Sequence, residues 1–324
     1  MKELINLSNA SFDTEYLLQG ETGRLETLLG KHQLAGIEFM LCGPWDEKMH
    51  PARYIRGVHL NFWPNWLDFW RGDEAALQQE FGGREQWQRV YGGCRAAWLE
   101  CWRNNLRQAV ACGAEYVVFH VAQARTTELY QREFAYAAES VIQAVIDLVN
   151  CFSDELPENC QLLFENLWWP GLTFQEPKLA EVLLQGVQHK NTGFMLDTGH
   201  LMNTNTKLRT EKDAVAYILK TVEKLGKLRQ RIYGMHLHCS LSGEFVEKKR
   251  KQSLATGRPV KKLEWQEIMD YILQTDQHRP FHTKEVRKLV EKIEPNYLVH
   301  EFIQDSWQDW DEKIKIQRHS LGWE

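Results

Sequence analysis

The sequence predicts an α/β fold: a single (β/α)8 TIM barrel that spans residues 1–324, with insertions after the third and seventh strands. Eight short, almost continuously apolar segments recur along the chain, and segments with helical periodicity separate most of them. Such runs are typical of parallel strands covered on both faces, and their alternation with helices indicates βαβ units. Eight strands close a barrel of this kind. The main alternative is an open doubly wound sheet, but no Gly-x-Gly-x-x-Gly motif follows the first strand.

The predicted strands are rich in β-branched and aromatic residues, which favour strands. They are Glu3–Leu7, Leu34–Leu41, Gly57–Phe62, Tyr116–Val121, Gln161–Leu167, Gly193–Leu196, Ile232–Leu237 and Tyr297–Phe302. The segments with helical periodicity are Trp87–Leu106, Tyr130–Cys151, Pro177–Val187, Lys212–Leu225 and Thr283–Ile293. In the first of these, apolar residues recur every three or four positions, which marks one face of a helix.

The first insertion, Trp63–Gly113, separates the third and fourth predicted strands and is rich in tryptophan. It contains Trp63, Trp66, Trp70, Trp87, Trp98 and Trp102. Because tryptophan contributes a large buried area wherever it packs, we expect most of these side chains to lie between helices. A sugar-stacking wall and a subunit contact are the alternatives.

The second insertion, Ser240–Lys262, is rich in basic residues. Its cations are Lys248, Lys249, Arg250, Lys251, Arg258, Lys261 and Lys262. One interpretation is a mobile lid in which cations such as Lys248 and Arg250 hold a phosphate group of the substrate. The alternative is a solvated loop without a ligand, and both interpretations stay open at this point.

Composition and charge limit the class of partner. The chain has 39 basic and 44 acidic side chains, a net charge of −5 (39 − 44), which argues against a general nucleic-acid-coating role. Its seven cysteines are irregularly spaced; they do not predict a disulfide framework and favour a reducing setting. No signal peptide pattern is visible, and no apolar run approaches the ~18 residues of a membrane span. We therefore expect a cytoplasmic protein without a membrane partner.

The most informative feature is the set of polar residues that follow the apolar runs. They are His59, His120, Glu165, Asp197, His236 and Glu301. The C-terminal ends of the strands form the rim at which barrel active sites are built. Three carboxylates that converge there would repel one another and would be costly to bury without a cation. A mixture of imidazole and carboxylate ligands suits Zn, Mn, Fe or Co better than Ca or Mg.

Two short pairs extend this candidate ligand set. Asp197 and His200 lie three residues apart on the loop that follows the sixth strand, close enough to serve one cluster. Asp276 and His278 lie two residues apart, so both side chains can point to one side of an extended segment. The sequence therefore predicts a site for a divalent metal, Zn or Mn, with one to three ions.

The pattern resembles the superfamily of xylose-isomerase-like barrels, AP endonuclease family 2, which includes sugar isomerases and epimerases and the endonuclease IV repair enzymes. The most specific part of the resemblance is the series Glu165-Asn166, Asp197-x-x-His200, His236 and Glu301. In the epimerase branch, the resemblance implies a metal held by Glu165, Asp197, His236 and Glu301, with the two glutamates also moving protons. In the endonuclease IV branch, it implies three zinc ions held by nine ligands. Those nine are His59, His120, Glu165, Asp197, His200, His236, Asp276, His278 and Glu301.

Several other residues are candidates for contacts with substrate or with ligands. Glu38 is a candidate for a hydrogen bond to substrate, for orienting a ligand, or for a structural ion pair. Asn166 directly follows Glu165 and could fix its carboxylate. His238 is a candidate substrate contact, and we expect it to point away from His236 if that segment is a regular strand. For Cys239 we expect inert packing rather than a ligand or nucleophile role.

Three functions remain open from the sequence. The first is a sugar or sugar-phosphate isomerase or epimerase, in which a metal polarises a ketose while Glu165 and Glu301 transfer a proton at carbon. The alternative is a multi-zinc phosphoester hydrolase of the endonuclease IV type, in which His59, His120, Asp276 and His278 hold additional ions. The third is a metal-containing barrel that binds a sugar without turnover. The expected partner is a small sugar or phosphorylated molecule rather than nucleic acid, and a homo-oligomer is possible.

Overall fold

The computed structural model describes residues 1–255 and 264–323 and contains a closed barrel of eight parallel strands. Each strand pairs with its neighbours in chain order, and β8 pairs with β1. This confirms the predicted fold. The strands are β1 Lys2–Ser8, β2 Gly36–Met40, β3 Ile55–His59, β4 Tyr116–His120, β5 Gln161–Glu165, β6 Thr192–Asp197, β7 Ile232–Leu237 and β8 Tyr297–His300.

Alternate residues of each strand face different cores. In β5, Leu162 and Phe164 belong to the large core between the barrel and the helices. Leu163 belongs to a smaller core inside the barrel. Because side chains alternate along a strand, Glu165 shares the inward direction of Leu163. The strand period therefore places the residue at the end of β5 over the mouth of the barrel.

Helices surround the barrel. They are α1 Thr22–His32, α2 Leu67–Arg71, α3 Glu74–Phe81, α4 Arg84–Tyr91, α5 Arg95–Ala111, α6 Ala138–Asn150, α7 Pro177–Gly186, α8 Thr198–Asn203, α9 Glu211–Lys224, α10 Gly243–Ala255, α11 Trp265–Thr275, α12 Arg287–Ile293 and α13 Trp307–Leu321. None of the described helices combines the length and the apolar composition that crossing a membrane requires.

Three predicted helices differ from the structure by more than one residue. The predicted helix Trp87–Leu106 is divided into α4 and α5, because Gly92 has a φ of +83°, which interrupts the helix and is readily adopted by glycine. The predicted helix Tyr130–Cys151 begins only at Ala138. In the segment Thr283–Ile293, a short 3-10 turn precedes α12.

The first insertion forms α2–α5, and its tryptophans pack as expected. Trp98 is fully buried, and its ring contacts the rings of Trp63, Trp66, Trp70 and Trp102. These contacts confirm the interpretation that most of the tryptophans serve helix packing.

The second insertion is helical where the structure describes it. The expectation of a loop over Ser240–Lys262 is wrong for Gly243–Ala255, which forms α10, and α11 follows at Trp265. Arg258, Lys261 and Lys262 lie outside the described residues. All seven cysteines are described and are free, and Cys239 is buried.

Candidate metal centre

Strand pairing gathers the predicted ligands over the barrel mouth. His120 is paired in register with Glu165 on the neighbouring strand, and Asp197 is paired with His236. All four side chains point inward, because they share the strand face that carries the small core inside the barrel. The barrel therefore brings residues from distant parts of the sequence to one place, where candidate ligand atoms of the described residues form four overlapping groups. Without His238, which belongs to two of these groups, the ligands divide into three adjacent clusters.

The first cluster consists of His59, His120 and Glu165. The Nε2 atoms of both histidines lie 3.1 Å from Oε2 of Glu165. Nδ1 of His59 lies 3.0 Å from the backbone carbonyl of Leu60. A proton on Nδ1 would make that hydrogen bond and leave the lone pair of Nε2 facing the cluster, as is common for imidazoles that bind metals.

The second cluster surrounds Nδ1 of His236. This atom lies 3.5 Å from Oε1 of Glu165, 3.7 Å from Oδ2 of Asp197 and 3.4 Å from Oε2 of Glu301. Within the described residues, Glu165 Oε1, His236 Nδ1 and Glu301 Oε2 are buried without a hydrogen-bond partner. Buried polar atoms that converge without hydrogen-bond partners fit a cation, because its ligand bonds would satisfy them.

The third cluster is centred on Asp276. Its Oδ2 atom lies 2.9 Å from Nε2 of His200 and 2.8 Å from Nε2 of His278. Nδ1 of His200 lies 2.9 Å from the carbonyl of Asn166, and Nδ1 of His278 lies 3.2 Å from the carbonyl of Glu301. Both rings therefore present Nε2 to one carboxylate oxygen, in the arrangement already described for His59.

Further buried residues orient these ligands. Oε1 of Glu38 lies 2.8 Å from Nε2 of His236, and its Oε2 accepts a hydrogen bond of 2.7 Å from the hydroxyl of Tyr116. Asn166 makes two hydrogen bonds with the backbone of Asp197, at 2.9 and 3.0 Å. Glu38 therefore orients a histidine. Asn166 fixes the backbone of Asp197, whereas the expected contact was with the carboxylate of Glu165.

Comparisons with known proteins agree with this architecture. The sequence pattern of the xylose isomerase-like TIM barrel family matches residues 91–316, which is more than half of the chain. The chain belongs to the xylose isomerase-like TIM barrel family. No curated protein matches the sequence.

Several solved structures share the fold at low identity. Endonuclease IV from Thermus thermophilus is 13% identical with a TM-score of 0.54, and the match covers 99% of both chains. A D-tagatose 3-epimerase-like protein is 15% identical with a TM-score of 0.54, over 99% of this chain and 97% of the other. The IOLI protein with a bound zinc atom is 14% identical with a TM-score of 0.55, over 99% of this chain and 96% of the other. At these identities the similarity shows the fold alone.

His238 is a further member of these clusters. Its Nε2 lies 2.8 Å from Oδ2 of Asp197 and 3.6 Å from Oε2 of Glu301, and its ring stacks on His278 at 4.0 Å. The expectation that His238 points away from His236 is wrong, because residues i and i+2 of an extended segment share a face. The two-residue spacing was the signal that could have placed it in the cluster. Its role as a substrate contact stays a prediction.

Burial and neighbouring charges shift the pKa values of the site in opposite directions. Burial lowers the pKa of His120 to about 4, although Glu165 opposes the shift, so this ring is neutral at pH 7. Burial also disfavours protonation of His200 and His236, but nearby carboxylates outweigh it and raise both pKa values well above the ordinary value. Burial raises the pKa of Glu301. Without a metal, this protein would therefore carry protons on some of its imidazoles. A metal ion that binds there would have to displace those protons.

The two basic residues predicted to hold phosphate lie on α10. The Nε atom of Arg250 donates a hydrogen bond of 3.2 Å to the backbone carbonyl of Gln131, and Lys248 is exposed. Among the described contacts, neither side chain reaches the three clusters. The phosphate-binding role of Lys248 and Arg250 stays a prediction. In contrast, all nine ligand candidates lie together at the mouth of the barrel, with Glu38, Asn166 and His238 beside them.

Proposed function

We propose that this protein is a metal-dependent phosphoester hydrolase that uses two or three divalent ions, Zn or Mn, and acts on a small molecule. The supporting observation is the position of Glu165. One of its oxygens faces His59 and His120, and the other lies 3.0 Å from Nδ1 of His200 and 3.5 Å from Nδ1 of His236. A buried carboxylate with imidazoles on both oxygens is suited to join two metal sites.

The residues divide into three ion-binding groups. His59, His120 and Glu165 would hold one ion. Glu165, Asp197, His236 and Glu301 would hold the second, and His200, Asp276 and His278 the third. When bound, the ions would activate water and neutralise the charge that develops on the leaving oxygen of a phosphoester. The protein itself holds the imidazole rings and the carboxylates in position through hydrogen bonds to the backbone and to buried side chains.

Geometry supports this function over proton transfer at carbon. A general base must reach the proton it removes, but Glu165 is fully buried and is enclosed by imidazoles. The additional cluster of His59 and His120 around Glu165 also offers ligands for more ions than the single ion of an epimerase requires. The net charge of −5 favours a small substrate over nucleic acid.

A sugar isomerase or epimerase is the second candidate, because of the surroundings of Glu301. This residue lines an open cavity of about 260 Å³ together with the polar side chains of Asn6, Ser8, Asp13 and Gln304. Burial raises the pKa of Glu301, which suits a carboxyl group that exchanges protons with substrate. In this case Glu301 would be the acid–base residue, and one ion would suffice.

The test is metal analysis of protein purified without a metal-affinity column, combined with turnover assays. We expect two or three ions per chain and release of inorganic phosphate from small phosphoesters. One ion per chain, with exchange of a carbon-bound hydrogen of a ketose phosphate in D2O, would instead favour the second candidate. Tight sugar binding without turnover of either substrate class would favour the non-catalytic alternative.

Variants provide a second measurement. His59→Ala and His120→Ala are expected to lose one ion per chain and most of the phosphate release. The matched control is His189→Ala, because His189 precedes β6 at the other end of the barrel and contacts the carbonyl of Cys160. The control should retain the metal content of the unaltered protein. Full retention of the ions by both cluster variants would refute the multi-metal proposal.

A further inference from the structure

A second cavity lies on the other side of the candidate ligands. It has a volume of about 240 Å³, and apolar side chains form most of its wall, among them Phe62, Trp168, Trp169, Ile268 and Ile272. His120, His200 and Asp276 from the first and third clusters also line it. A molecule in this cavity would therefore contact both apolar side chains and candidate metal ligands.

Aromatic rings connect this cavity to the clusters. The rings of Phe62 and Trp169 are nearly parallel, at 21°, with centroids 6.4 Å apart. Phe62 also packs edge-on against His120 at 4.5 Å, and Trp168 lies 5.1 Å from His200. Flat faces of this kind favour planar ligands, because offset stacking and edge-to-face contacts add to the burial of apolar surface.

The lining also offers polar atoms for a ligand. Within the described residues, the hydroxyl of Thr126 and Nδ1 of His120 are buried without a hydrogen-bond partner, and both residues line the cavity. Unpaired buried polar atoms are costly, and a ligand with a polar substituent would satisfy them. An apolar pocket with a few unpaired polar groups is typical of a small-molecule site.

The two cavities differ in chemistry and lie on either side of the candidate ligands. Glu38, His59 and Glu301 line the polar cavity, whereas His200 and Asp276 line the apolar one. A substrate bound at the ligands can therefore place a polar part on one side and an apolar part on the other.

We propose that the apolar cavity binds a planar aromatic ring of the substrate, so that the substrate class is an aryl or heteroaryl phosphoester. The phosphoester part of this statement rests on the proposed function, whereas the aromatic part rests only on the cavity. The ring lies among Phe62, Trp168 and Trp169, and the ester phosphate faces the ligand clusters.

The experiment uses three probes: 1-naphthyl phosphate, 1-naphthol and glycerol 3-phosphate. Binding is followed by the change in tryptophan fluorescence, and turnover by phosphate release. We expect 1-naphthyl phosphate to bind at least tenfold more tightly than glycerol 3-phosphate and 1-naphthol to bind without turnover. Equal affinity for the two phosphoesters, with no binding of 1-naphthol, would overturn the proposal.

Variants on α11 locate the binding. Ile268→Trp adds bulk to the lining and should abolish the preference for the naphthyl probes while the metal content stays unchanged. Leu273→Trp is the matched control on the same helix, because Leu273 is 46% exposed and is not part of the lining. Phe62→Leu removes a ring without adding bulk and should weaken naphthol binding. Unchanged naphthol binding in both Ile268→Trp and Phe62→Leu would overturn the proposal.

The outcomes separate this inference from the proposed function. If 1-naphthol binds in a manner that depends on Ile268 but no phosphoester is hydrolysed, the hydrolase proposal fails and the cavity assignment stands. If both phosphoesters are hydrolysed equally and 1-naphthol does not bind, the hydrolase proposal stands and the cavity assignment fails.

Discussion

Replacing Glu38 by glutamine tests whether His236 is a metal ligand. Glu38 is 2% exposed, and its Oε1 lies 2.8 Å from Nε2 of His236, on the opposite side of the ring from the second cluster. Glutamine has nearly the same shape but carries no charge. Glu38→Gln therefore removes the negative charge that faces the ring while leaving the packing and the hydrogen bond from Tyr116 largely intact.

The expected magnitude follows from this contact. Loss of the carboxylate that supports a ligating histidine typically weakens metal binding roughly 10- to 100-fold, or about 1.4 to 2.8 kcal/mol. The ion of the second cluster should be affected most, because the described side-chain contacts of Glu38 are with His236 and Tyr116. We expect one site to lose more affinity than the others.

Competition between the protein and a chromophoric chelator for Zn²⁺ measures these affinities. Glu3→Gln is the matched control, because Oε1 of Glu3 makes a similar contact of 2.7 Å with Nε2 of His300 away from the clusters. The control should bind all ions normally. A folded Glu38→Gln protein with wild-type affinity at every site would refute the assignment of His236 as a ligand.

Three further predictions concern packing, protonation and pH. Gly57→Ala would place a Cβ inside the van der Waals radius of the Tyr116 ring, and this overpacking should lower the free energy of unfolding by about 1–3 kcal/mol in urea titrations. Loading the metal-free protein with Zn²⁺ at pH 7 should release protons to a weak buffer, because nearby carboxylates raise the pKa values of His200 and His236 well above the ordinary value. The absence of proton release would contradict this prediction. Asp276 and other carboxylates outweigh burial and raise the pKa of His278 from 6.5 to about 9. The protonated ring should therefore stabilise the metal-free protein fully below pH 6.5, and this stabilisation should be lost as the pH rises through about 9. His278→Ala should flatten that part of the pH profile of the unfolding free energy.

The strands could be predicted from the sequence because both of their faces are buried. Tyr116–His120, for example, has no exposed position, so its apolar run is visible without knowledge of its partners. The helix boundaries were less predictable. The periodicity of Trp87–Leu106 continues across Gly92, but the positive φ of this glycine and the extended backbone of Cys94 separate α4 from α5.

The candidate ligands on the strands could be predicted for a similar reason. The strand period fixes which side a residue faces, and a closed parallel barrel brings all the strand ends to one rim. The same rule applies to His238, and the sequence interpretation failed there because it assigned positions i and i+2 to opposite faces. The contact between Asp276 and His200 was different, since it depends on the path of the whole segment between β7 and β8.

α11 joins the third cluster to the apolar cavity. Ile272 lies on α11 and lines the cavity, and Asp276 follows one helical turn later at the end of the same helix. The amide of Asp276 donates a hydrogen bond of 2.7 Å to the carbonyl of Ile272. Because one rigid turn carries both residues, a displacement of α11 would shift the cavity wall and the aspartate together. α11 therefore has two roles, because the helix that lines the apolar cavity also positions Asp276 beside His200 and His278.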